Sequence, residues 1–133
     1  MTNISKRRLG DMHQKKLLKQ LAGLFATSDK KSTELMLTDL FTESEQIMFI
    51  KRLGIVMMIN SGYSKYRIAK TLLVSESTVR EAGKKFDMGT YNNLLRKTQT
   101  KQFDSKKFWA TVEVLLRAGM PSMGKDRWKD VHL

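Results

Sequence analysis

Between Ser64 and Phe86 the chain reads SKYRIAKTLLVSESTVREAGKKF, and this stretch restricts its fold more than any other. Ser64 suits an N-cap, and Ile68, Ala69 and Leu72 give the helix after it one apolar edge. Leu73 and Val74 leave only a brief connection before Ser75, a second N-cap. The helix that follows has its apolar edge at Val79, Ala82 and Phe86, at spacings of three and four. Two short helices joined so tightly must cross steeply, which is the helix-turn-helix arrangement. Ala69 is small where the helices approach, and Val79 points back into their corner. Leu73 stands where such turns often carry glycine, so the turn must avoid the left-handed conformation or tolerate its cost.

The outward face of the second helix carries Glu76, Ser77, Arg80, Glu81, Lys84 and Lys85, groups that can bond base edges and phosphates. Residues 64–86 hold six Lys/Arg against two Asp/Glu, a local charge of +4. The whole chain of 133 residues carries +12, which points to a polyanionic partner. That charge is uneven. Residues 1–20 have six Lys/Arg and one Asp, residues 84–133 have eleven against five, and residues 21–83 are nearly balanced at eight against seven. The layout suggests a basic arm over 1–12, a helical domain over 13–95 and a basic extension over 96–133.

No period-two alternation persists long enough for a sheet, so the expected class is all-α. Leu17, Leu18, Leu21, Leu24 and Phe25 make an apolar stripe on a helix over 13–26, and Leu35, Met36 and Leu40 indicate a second helix after Ser32. TESE, with Thr42 and Glu45, has the pattern of a capping box. The helix it opens, 42–61, is apolar on nearly every side and ends at Gly62. Such a helix belongs in the middle of something, and a second subunit is expected to bury part of it. DMGT at 87–90 reads as a loop, YNNLLRK as one or two turns, and a last helix is expected near 104–118, through Phe108, Trp109, Val112, Leu115 and Leu116.

Several classes are disfavoured. Cysteine is absent, and His13 and His132 lie near opposite ends without ligand spacing, so neither a metal nor another cofactor is expected. IVMMI at 55–59 is the longest apolar run, far short of a membrane span, and no signal peptide is legible. A cytoplasmic location without membrane attachment is the expectation. No phosphate loop, nucleophile–base set or paired carboxylates suggest an enzyme.

Residues 40–86, LFTESEQIMFIKRLGIVMMINSGYSKYRIAKTLLVSESTVREAGKKF, resemble the Trp repressor superfamily, and its shorter relatives more than the repressor itself. The shared features are the LxT approach with an acidic first turn, the long helix bearing Arg52, the Gly62 stop and STV opening the second short helix. The resemblance covers roughly 35–91. It implies an intertwined, all-α homodimer that binds double-stranded DNA as a transcriptional regulator, and it implies a Met-rich surface at Met48, Met57 and Met58. The base-reading positions then fall on Glu76, Ser77 and Arg80. Phosphate contacts are expected from Ser64, Lys65, Arg67, Ser75, Thr78, Lys84 and Lys85. An effector pocket would involve Arg52 and Glu81, but the Glu81 carboxylate would repel that of tryptophan, so tryptophan is not the expected effector. From the residues alone, an RNA-binding or ribosome-associated protein and a helical adaptor without DNA activity stay open. Scattered Tyr63, Tyr66 and Tyr91 weigh against RNA stacking, whereas Phe108, Trp109, Met120 and Trp128 would serve an adaptor.

Overall fold

The computed structural model describes residues 9–101 and 103–119. Most of the basic arm, together with Met120, Trp128 and His132, lies outside the described residues. Among the described residues there are seven helices and no strand: α1 (Asp11–Ala26), α2 (Lys30–Leu40), α3 (Glu43–Asn60), α4 (Lys65–Leu72), α5 (Glu76–Asp87), α6 (Asn92–Thr98) and α7 (Ser105–Gly119). They fall into two compact units that divide between Phe49 and Ile50. No helix among them is long and apolar enough to cross a membrane.

In the first unit local chemistry sets the helix ends. Asp29 caps α2 by accepting from the Ser32 amide at 2.7 Å, so this helix starts before Ser32 rather than after it. That amide, then the Ser32 hydroxyl, hold the Asp29 carboxyl below its usual range. The capping box at α3 is reciprocal: Glu45 N donates to Thr42 Oγ1 at 3.2 Å, and Thr42 N donates to Glu45 Oε1 at 3.0 Å. Neither α1 nor α2 buries a single residue. Leu17, Leu18 and Leu24 of α1 and Leu35, Leu37 and Leu40 of α2 are all exposed.

The second unit has a closed core. Met58, Ile68, Val56 and Val79 are its largest fully buried side chains, joined by Ile55, Tyr63, Ala69, Leu72, Ala82 and Val112. One correction follows. Met57 and Met58 lie inside this core, at 6% and 0% exposure, and Met48 alone of the three expected surface methionines is exposed. The burial of α3 within its own chain also covers Gly54 to Met58, whereas Ile47, Met48, Phe49 and Ile50 stay exposed. α3 ends as expected at Gly62, whose φ is +87°. Gly62 N donates to Ile59 O at 3.0 Å and Tyr63 N to Met58 O at 3.1 Å, the paired bonds of a Schellman motif.

α7 is integral to this core. Asp104 caps it through the Lys107 amide at 3.0 Å, Val112 is buried, and Trp109 stacks on Tyr63 with centroids 5.8 Å apart. Burial, and then the nearby Glu113 charge, push the Tyr63 phenol above its ordinary range.

The turn between α4 and α5 takes the costly option. Leu73 adopts φ 55° and ψ 52°, and the residue is 75% exposed. The left-handed region costs a non-glycine residue about 1–2 kcal/mol, part of which glycine would return through its greater unfolded-state freedom. Leu73→Gly should therefore raise stability by roughly 0.5–1 kcal/mol, read as a higher urea midpoint at unchanged slope. A lower midpoint would show that the exposed leucine contributes more than its backbone costs.

Candidate nucleic-acid interface

α4 and α5 pack against each other across their short connection. Ser64 accepts from Arg67 N at 3.2 Å and Ser75 from Thr78 N at 3.1 Å, so each helix begins on its serine. Val79 and Ala82 face inward, and Ile68 and Ala69 lie in the same core. A Cβ at Gly83 would lie 3.6 Å from Lys65 Cε, an ordinary contact distance. The Lys65 stem thus runs over α5.

The opposite side of α5 is polar. Glu76, Ser77, Arg80, Glu81, Lys84 and Lys85 are all exposed. At about 100° per residue, Glu76, Arg80, Lys84 and Ser77 share an arc of roughly 100°, with Glu81 and Lys85 on its shoulder. Side chains at i and i+4 on such an arc lie one above the next, so Glu76, Arg80 and Lys84 form a single row. At the head of this row the Ser75 hydroxyl lies 3.0 Å from Ser77 Oγ and 2.7 Å from Thr78 Oγ1.

The expected phosphate ligands divide. Ser64, Lys65, Ser75, Thr78, Lys84 and Lys85 are exposed, whereas Arg67 is only 6% exposed. The sequence pattern gives α4 one buried edge, but α4 packs against both α5 and α7. Arg67 and Thr71 are buried along with the apolar edge, and the Thr71 hydroxyl donates to Arg67 O at 2.7 Å. Arg67 therefore belongs to the interior of the unit. Lys70, which no sequence pattern singles out, stands over the Tyr66 ring at 5.5 Å. Arg52 on α3 and Glu81 on α5 are both exposed.

Among the described residues no group of three or more histidine, cysteine or acidic side chains is placed to hold a metal ion. Comparison with protein-family models, with curated proteins and with solved structures finds no match.

Proposed function

We propose that this chain is a sequence-specific regulator that binds double-stranded DNA, with α5 in the major groove. The observation that carries the reading is the row formed by Glu76, Arg80 and Lys84 with Ser77, exposed on a helix whose other side is locked into a core. A helix entering the major groove brings its first turns to base edges and its later turns to the phosphate walls. Arg80 is then a base reader, with Glu76 and Ser77 beside it, and Lys84, Lys85, Lys65, Ser64, Ser75 and Thr78 serve phosphates.

The active species in this proposal is a homodimer of the intertwined, Trp repressor-like kind. What supports it is the apolar surface of Leu17, Leu18 and Leu24, Leu35 and Leu40, and Ile47 to Ile50, which one chain leaves uncovered. Short helices draw most of their stability from packing an apolar face, so α1 and α2 need such a cover. Tryptophan is not its effector, because Glu81 would face the ligand's carboxylate in the pocket that the resemblance implies.

Two substitutions test the assignment. An arginine bonded to guanine through both ring-edge acceptors discriminates by about 1–3 kcal/mol, so Arg80→Ala should flatten the preference at one base pair in each half-site. Lys84→Ala should weaken all duplexes about equally and reduce the salt slope by roughly one for each phosphate left without its cation. Base selection by the Arg80→Ala protein that matches wild type, at measurable affinity, would remove Arg80 from the readers.

A further inference from the structure

The strained turn is tied to α3. Lys51 Nζ donates to Leu73 O at 3.1 Å, the carbonyl of the one non-glycine residue with positive φ among the described residues. One turn further along α3 stands Gly54, where a Cβ would come within 3.0 Å of Leu72 Cδ1. Lys51 and Gly54 share a face at spacing three. Together they grip Leu72 from below and Leu73 by its carbonyl. The turn's own amides are already used, since Leu73 N and Val74 N both donate to Ala69 O. The Leu73 carbonyl is thus left for α3, and a charged donor makes the stronger kind of hydrogen bond. Only Val74 separates this anchor from Ser75, the cap of α5, so the Leu73 backbone angles set the direction in which α5 leaves the turn.

From this geometry we infer that Lys51 is a positioning residue for α5, acting through the Leu73 carbonyl to fix the reading helix on α3 without itself touching DNA. The inference rests on the proposed DNA reading for its functional consequence and on the turn geometry alone for its structural one.

The full-length protein with Lys51→Met keeps the length of the side chain but loses the donor, and Lys51→Arg keeps both donor and charge. Lys51→Met should lower affinity for the selected duplex roughly tenfold, within the range for groups coupled through a backbone shift, while binding to random-sequence duplex and the salt slope stay as in wild type. Lys51→Arg should restore most of that affinity. In a Leu73→Gly background, where the left-handed turn holds without help, the effect of Lys51→Met should shrink. Amide hydrogen exchange is read on the same proteins without DNA. Lys51→Met should speed exchange at Leu73, Val74, Thr78 and Val79, with Ile68 and Ala69 unchanged. Equal weakening on every duplex with the slope reduced by about one would make Lys51 a phosphate ligand and overturn the inference. Unchanged exchange at those four amides would overturn it as well. If the wild-type protein binds no duplex, the DNA reading fails by itself, and the exchange result alone decides whether Lys51 positions α5.

Discussion

Raising the salt concentration from about 50 to about 200 mM should lower the affinity for duplex DNA by roughly 10⁴-fold. The magnitude follows from the exposed cations of the α4–α5 pair. With Arg67 buried and Lys70 standing over the Tyr66 ring, the cations assigned to DNA on each subunit are Lys65, Arg80, Lys84 and Lys85. Arg80 at a base edge still lies within the phosphate field, so a dimer brings about eight charges to the duplex. At about 0.9 ions released per phosphate neutralised, the log–log slope is about −7. The basic arm and extension can steepen it. A slope shallower than about −2, or no binding at low salt, would mean that the chain's surplus charge does not act on DNA.

The second large effect concerns the first unit. Sedimentation at micromolar concentration should give twice the 15.4 kDa of the chain. A carboxylate placed in the covered face has no partner there and costs about 3–5 kcal/mol, so Leu18→Glu should weaken association more than 100-fold and yield the monomer. Leu18 is 62% exposed in the single chain, so the substitution leaves the core of the second unit untouched. DNA affinity should fall with it, since one α5 reads only half a site. A wild-type protein that sediments at 15.4 kDa would remove the homodimer, and with it the dyad in the expected site.

What can be read from the sequence is mainly what local chemistry decides. Thr42 with Glu45, Ser64, Ser75 and Gly62 each act within four residues of themselves, and each does in the structure what its position suggests. The buried edges of α4 and α5 are legible for the same reason, because a spacing of three and four fixes a face whatever packs on it. Arg67 is misplaced by its sequence because the pattern of α4 shows one buried edge, whereas α4 packs on both α5 and α7. Met57 and Met58 are misplaced because a helix apolar all round does not say which side its own chain will cover. For Leu73 the sequence allows two conformations, and no local pattern indicates that Lys51, 22 residues earlier, donates to its carbonyl. The cap at Asp29 is a signal the stripe of α2 obscures, although Asp29 stands three residues before the amide it accepts from.

Every functional expectation above depends on α5 reading base pairs in duplex DNA. Selection of bound duplexes from a random pool, with structured and single-stranded RNA of equal length as competitors at matched salt, tests it most directly. Two copies of α5 related by a dyad should enrich a symmetric sequence whose half-sites lie about one helical turn apart, roughly 10–10.5 base pairs from centre to centre, with RNA competing poorly. A pool that remains random after selection, or an RNA that displaces the duplex at equal concentration, would contradict the account.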